Sequence, residues 1–581
     1  MCLCFSFLSF VFTASISNAQ QQNKITPIIN FLLFSDTAPG QQTSLEDASR
    51  FLIQSTFGPS YDDIAKLSNS SIESWINQQF RLPQTKTVEY AESQNWVTNY
   101  PLIVSGSARS SLLNVMLTAP DQLRQRMAYA LSQIFVVSLD VNNGISERPL
   151  FYLDYYDLLG ENAFGNYRDL LEKVTKNSVM AYYLTLNLNA PAGTQVGPVN
   201  HPGSFFVSSP DENYAREVLQ LFSIGLVELN IDGTPVMDGE EPVASYTQET
   251  VENFARVFTG WNYQAGETPE TSSFFNLGIP QDTKPMIAFD EFHDKGEKTL
   301  LNNVTLRANQ SAEKDLDDAL DNIFNHPNVG PFISKLLIQH FVTSNPSPSY
   351  VARVARIFNN NGEGVRGDLK AVVSAILLDT EARNGHKTQP NTFGKFKEPF
   401  IRQTALWRGL HARRRTSNNN LFDSYDDIFF DRLRQFPMHA RSVFNFYQAD
   451  FSPSGPLNES SLLAPESQLI DNESAVTIAS TYEEYIHRHH DNAGNSFAQS
   501  SDDLLIDTSS LETLVPNNLR NPEELIERLN IVFLAGTMSD DMRQTLLEVH
   551  DPSVYLVEHP WEIAIDLANI VLLSPQFMIQ K

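Results

Sequence analysis

From Ser44 onward, apolar residues return three and four positions apart in segment after segment, the spacing that lines them along one face of an α-helix. Leu45 to Ser55, Tyr61 to Leu67, Ser71 to Phe80 and Asp121 to Leu139 carry the pattern first. Pro149 to Leu159, Asn166 to Lys176, Asp211 to Leu226, Gln248 to Phe258, Leu316 to Phe324, Val329 to Thr343, Ser349 to Asn359 and Asp368 to Leu378 continue it. Strand-like alternation is scarce. Such a chain buries its apolar faces helix against helix, so the expected fold is mainly α, one large compact multi-helix domain over residues 44–581. No internal repeat is visible, which argues against a solenoid. Two stretches read as small β-hairpin insertions: Glu228 to Ser245 around Asp232-Gly233 and Asp238-Gly239, and Pro285 to Leu301 around His293-Asp294-Lys295-Gly296. Asn189 to Pro210 is a long Pro/Gly/Ser-rich loop. Loop-rich insertions are expected near 413–420 and 481–510, the latter of low order.

Residues 1–19 contain no charged side chain, run through an apolar stretch from Leu3 to Phe12 and end Ser17-Asn18-Ala19, a small-x-small site of the kind a signal peptidase cleaves. The expectation is a signal peptide over 1–19, a flexible segment over 20–43, and an exported protein, periplasmic or secreted. Cys2 and Cys4, the only cysteines, fall inside that leader. The mature chain then has no disulfide, no thiolate-held iron-sulfur cluster and no covalently attached haem. A metal, if held, is a divalent ion on His, carboxylate or carbonyl groups: Ca, Mg, Mn or Zn. No later stretch is long and apolar enough for a membrane span. The net charge of -28 repels phosphate backbones, so nucleic acid is a poor partner.

The strongest local candidate runs from Pro210 to Phe222. On a helix, Asn213, Arg216, Glu217 and Gln220 form one polar stripe between apolar flanks, so the helix is mostly buried and the stripe is paired internally or lines a cavity. In a structural reading Asp211 accepts from a helix N–H and Arg216 pairs with carboxylates. In a functional one Glu212 or Glu217 is a metal ligand or general base and Arg216 orients an anionic group. His293-Asp294 offers a ligand or proton shuttle, or else a turn held by the Asp with its His exposed. Tyr214, Tyr246 and Trp261 can wall a sugar or peptide site, or belong to the core.

Three further motifs are weaker. Glu228-x-Asn230-x-Asp232-Gly233 starts like a calcium loop, but Pro235 interrupts it and Gly239 stands where the bidentate Glu belongs. Gly362-x-Gly364-x-x-Gly367 follows a helical pattern, where a dinucleotide fingerprint needs a strand. His487-x-His489-His490-Asp491 lies in a polar stretch. No G-x-S-x-G elbow, H-E-x-x-H or phosphate-binding P-loop occurs.

Several segments together resemble the bacterial domain-of-unknown-function family 1800: Arg50-Phe51-Leu52 with Thr56-Phe57-Gly58-Pro59, Leu123 to Phe135, Tyr155 to Leu170, Pro210 to Gly225, Tyr246-Thr247-Gln248, Phe254 to Trp261, His293-Asp294, His326 to Val329 and Ser442 to Tyr447. The resemblance is collinear from about residue 45 to Ser574-Pro575-Gln576-Phe577, while Arg413 to Asn420 and His487 to Asp491 depart from it. It implies an exported, mostly helical protein without assigned activity or agreed catalytic residues. It also implies a possible partner, a co-encoded exported sulfatase-like protein. Two function classes follow: a binding or assembly protein of the cell envelope, or a metal-assisted hydrolase with a site at Glu212, Glu217, Arg216, His293 and Asp294, and Tyr214, Tyr246 and Trp261 contacting substrate.

Overall fold

The computed structural model describes residues 43–97, 105–139, 148–196, 206–264, 273–274, 283–414, 432–488, 504–515, 522–549 and 559–581. The expected leader over 1–19 and nearly all of the 20–43 segment lie outside them. The fold is mainly α. Helices span Leu45–Ser55, Tyr61–Ser68, Ile72–Arg81, Gln122–Ile134, Pro149–Glu161, Tyr167–Thr175, Gln248–Val257, Ala312–Phe324, Val329–Phe341, Pro348–Asn359 and Leu369–Leu378, following the apolar periodicity closely. Most of their starts have a common cause: Ser44, Ser60, Ser71, Ser311, Ser347 and Asp368 each accept a backbone N–H of the first turn, satisfying a donor the helix itself leaves open.

Most of the buried apolar side chains form one connected core running from Ala48 to Phe577, with a small satellite cluster at Ala190 and Phe274. Chain-distant segments close it: the Ser49 hydroxyl donates to the Ile531 carbonyl at 2.6 Å, and strand Lys395–Phe396 pairs antiparallel with Ile579–Gln580. The Gln580 amide then donates to the carbonyls of Phe341 at 2.8 Å and Val342 at 3.0 Å. Among the described residues no helix is long and apolar enough to cross a membrane.

Several elements differ from the sequence expectation. The helix expected to reach Leu139 stops at Ile134, because the following residues leave helical geometry and Leu139 N–H donates to the Met438 carbonyl at 2.9 Å. The stretch Glu228 to Ser245 does form a hairpin, with Met237–Asp238 against Glu241–Pro242 and bridges Val227 to Ala244 and Leu229 to Pro235. Its calcium-like start is a turn in which Asp232 accepts from the Thr234 backbone and hydroxyl. Pro285 to Leu301 does not fold on itself. Ile287–Ala288 pairs with Trp261–Asn262, and Lys298–Thr299 with Thr305–Leu306, so the two halves serve different ladders.

Within the Asn189 to Pro210 loop, Gln195–Val196 pairs with Phe206–Val207. The glycine triplet at 362–367 closes a turn after helix Pro348–Asn359, where Asn360 Oδ1 accepts from the N–H groups of Gly362 and Gly364. In the 481–510 stretch a helix, Asn472–Arg488, continues to Arg488, and Leu504–Leu505 pairs with Arg413–Arg414. The rest of the 413–420 insertion and His489, His490 and Asp491 lie outside the described residues.

Candidate functional site

The stripe helix is shorter than its pattern, spanning Asn213–Gln220. Asp211 accepts from the Asn213 N–H at 2.8 Å, but from a turn before the helix, where Glu212 holds the cap position without a capping side-chain bond. At the other end Gly225 adopts φ +74° and closes the chain onto the Leu219 carbonyl. A side chain there would also meet the Phe332 ring at 2.9 Å, so only glycine fits that turn.

The polar stripe divides along its length. Arg216 lies at the surface, donating to Glu212 Oε2 at 2.8 Å and to Gln248 Oε1 at 3.1 Å, while Gln248 Nε2 also donates to Glu212 Oε2 at 2.8 Å. Glu217 turns inward and is only 6% exposed. It makes no bond to Arg216, and its Oε2 has no hydrogen-bond partner among the described residues. Burial pushes the Glu217 carboxyl above its ordinary range, with Arg216 opposing weakly. Tyr246 is half-buried beside it, and its hydroxyl also lacks a partner among the described residues. Burial, and the Glu217 charge after it, raises the Tyr183 phenol to about 12, and burial raises that of Tyr246 against the opposing Arg216 charge.

The other candidates go elsewhere. Tyr214 is enclosed by the core, its hydroxyl 2.7 Å from Thr175 Oγ1 and its ring edge-on to Phe258 at 5.1 Å. Trp261 is 1% exposed, on the strand paired with Ile287–Ala288, with the Lys176 ammonium 5.4 Å from its ring centre. Neither presents a ring to an incoming ligand.

His293 is not the exposed turn residue of the structural reading but is 3% exposed. Its Nδ1 lies 2.9 Å from the Thr259 carbonyl, which can only accept, so Nδ1 carries a proton; its Nε2 lies 2.9 Å from Asp315 Oδ2. Asp315 also accepts from Lys298 Nζ at 2.7 Å and Gln310 Nε2 at 2.7 Å. Burial raises the Asp315 carboxyl, but the His293 and Lys298 hydrogen bonds outweigh it and hold it below the ordinary carboxylate range. Asp294 is gripped by Arg256 through two bonds of 2.9 and 3.1 Å and accepts from the Gly296 N–H, as the turn reading expects. Burial raises its carboxyl too, and the Arg256 pair outweighs this. Gly260 sets the approach: at φ +84° a side chain would meet the Phe289 carbonyl at 2.9 Å and His293 at 3.0 Å. Thus Glu212, Arg216, Glu217 and Tyr246 share one neighbourhood, while His293 and Asp294 are bound into another network. Among the described residues no group of three or more His, Cys, Asp or Glu side chains is placed to hold a metal ion.

The sequence reading missed a dense polar constellation, which surrounds Glu398. This residue is 0% exposed, and its Oε2 accepts from Tyr129 Oη at 2.6 Å, Gln133 Nε2 at 3.0 Å and Gln435 Nε2 at 2.7 Å. Lys395 Nζ lies 3.9 Å from Glu398 Oε1 and 2.8 Å from Glu466 Oε1. Arg126 donates to the His340 carbonyl at 2.7 Å, a carbonyl that also takes Lys395 Nζ at 3.1 Å. The two carboxyls diverge. Burial raises both, but for Glu398 the Lys395, Arg126 and His340 charges and the Tyr129 hydrogen bond outweigh it, whereas Glu466 stays above the ordinary range. His340 is depressed to about 3 by burial and then by Lys395. A usable signal was the run Lys395, Lys397, Glu398, Pro399: three charges immediately before a proline-started helix in an apolar setting.

No curated protein and no solved structure matches the chain. A family model does match, over residues 50–579, nearly the whole length, and includes every residue of these three polar sites: the chain belongs to the family described as Protein of unknown function (DUF1800).

Proposed function

We propose that this is an exported binding protein of the cell envelope that recognises a neutral, polyhydroxylated ligand at the Glu217–Tyr246 site. The observation that carries the reading is the pair of buried, unpartnered polar atoms, Glu217 Oε2 and the Tyr246 hydroxyl, beside a half-exposed Arg216–Glu212–Gln248 rim. Buried polar groups without partners are costly, and a ligand hydroxyl satisfies them. Glu212 offsets the Arg216 charge at the rim, so the site suits an uncharged ligand better than an anion. The Tyr183 and Tyr246 rings supply apolar faces of the kind that pack against sugar C–H groups.

The test is calorimetric titration with soluble neutral hexasaccharides of the cello-, malto- and chito-series. Binding of one of them, weakened about tenfold by Tyr246→Phe at unchanged melting temperature, is the expected outcome. Heats of dilution alone, or an affinity indifferent to Tyr246→Phe and Glu217→Gln, would refute it.

The second reading, a hydrolase using a divalent metal, rests on Glu217 being a carboxyl with unused acceptor capacity. Elemental analysis of untagged protein after dialysis decides it. One equivalent of Zn, Mn, Mg or Ca, lost in Glu217→Gln, would favour the hydrolase; the binding reading expects no stoichiometric ion and an unaltered fold in that variant. Affinity capture with a co-exported sulfatase-like protein would extend the binding reading to assembly.

A further inference from the structure

A cleft of about 540 Å³ opens between helices Leu45–Ser55, Tyr61–Ser68 and Ile72–Arg81, the 117–122 turn and the end of helix Pro399–Gly409. None of its lining residues belongs to the Glu217 site. Its lining is mixed, with Leu52, Leu67, Trp75, Leu82, Leu117 and Trp407 forming the apolar part and hydroxyl, amide and charged side chains the rest. The size is that of a pocket for a small organic ligand.

The polar groups at the cleft sort by whether they are already used. Asp63, its only carboxylate, accepts from Arg408 at 3.1 Å and from the backbone and hydroxyl of Ser60. Arg408 is engaged in turn, donating also to the carbonyls of Gly58 and Leu117. Lys66 differs: it is exposed, lines the cleft and has no carboxylate or carbonyl partner among the described residues. His411, half-buried on the same lining, likewise has no side-chain partner among the described residues. In a chain of net charge -28, this cleft therefore carries, among the described residues, an unengaged cation and an unengaged imidazole beside the Trp75 and Leu82 side chains, with its one carboxylate paired to Arg408.

We propose that the cleft binds an amphiphile, an apolar body of acyl-chain or aromatic character with one anionic head group. The body displaces water from the Trp75 and Leu82 walls, and the head group meets Lys66 at the mouth. The inference is independent of the saccharide reading, because it uses different residues and a different ligand class.

Fluorescence titration with 1-anilinonaphthalene-8-sulfonate, paired with its uncharged relative N-phenyl-1-naphthylamine, tests it on the full chain. Saturable one-site binding of the anionic probe, displaced by dodecanoate, is expected. Lys66→Gln, at an exposed position, should weaken the anionic probe about threefold and leave the neutral one unchanged. Thr118→Trp, which adds bulk at an exposed lining residue without removing a core contact, should abolish both. Non-saturating fluorescence, equal effects of Lys66→Gln on the two probes, or full binding in Thr118→Trp would overturn the proposal.

Discussion

Glu398→Ala is expected to lower stability by roughly 3–5 kcal/mol in urea unfolding, the range for breaking a buried charge network from one side. The reason lies in what remains after the carboxylate is gone. Tyr129, Gln133 and Gln435 all donate to one oxygen of Glu398, and the substitution takes that acceptor from three buried donors, leaving Gln435 only the Tyr129 hydroxyl at 3.3 Å among the described residues. It also removes a counter-charge to Arg126, whose Nε and Nη1 already lack partners among the described residues. Lys395 retains Glu466 at 2.8 Å, which limits the damage on that side. Glu398→Gln keeps the volume and an accepting oxygen but drops the charge, so about half the loss is expected. Because Lys395 and Glu398 interact, Lys395→Met combined with Glu398→Ala should cost less than the sum of the single changes. A loss below about 1 kcal/mol for Glu398→Ala would show that water already satisfies these donors and that the network contributes little to the fold.

What could be read from the sequence follows from how local each feature is. Helices such as Leu45–Ser55 and Pro348–Asn359 were legible because both the apolar face and the capping serine lie within a dozen residues. The Pro285 to Leu301 hairpin was misread because turn chemistry signals a reversal without naming the partner; Ile287–Ala288 found its ladder on Trp261–Asn262. Within the stripe, Arg216 and Glu217 are neighbours about 100° apart around a helix, close enough to share a face on paper. Packing then sent Arg216 to the surface and Glu217 inward. The Glu398 constellation was the least accessible. Tyr129 and Glu398 are 269 positions apart, and the charged run at Lys395, Lys397 and Glu398 does not name the distant residues that meet it.

Lys397→Met is expected to stabilise the protein by about 2–4 kcal/mol at neutral pH, the reverse of the usual effect of a core substitution. Lys397 is 3% exposed, yet the carboxylates of the neighbouring network do not reach it. Among the described residues its ammonium has only the Phe533 carbonyl at 3.5 Å and the Phe577 ring at 4.2 Å. Burial, with a smaller contribution from Arg402, depresses it from the ordinary 10.5 to about 7. Between those values the folded chain holds fewer protons than the unfolded one, so this residue makes stability rise with pH across the window from about 7 to 10.5. The penalty is complete at and below about pH 7, where the interval amounts to an upper bound of roughly 5 kcal/mol, and it vanishes near pH 10.5. Methionine fills a similar volume with no charge to desolvate. The stability difference between variant and parent, followed by urea unfolding from pH 6 to 10, should therefore be largest at the acid end and shrink steadily toward the alkaline end. A pH-independent difference would mean that the gain comes from packing alone, and a destabilised variant would mean that the carbonyl and ring contacts outweigh the desolvation of the amine.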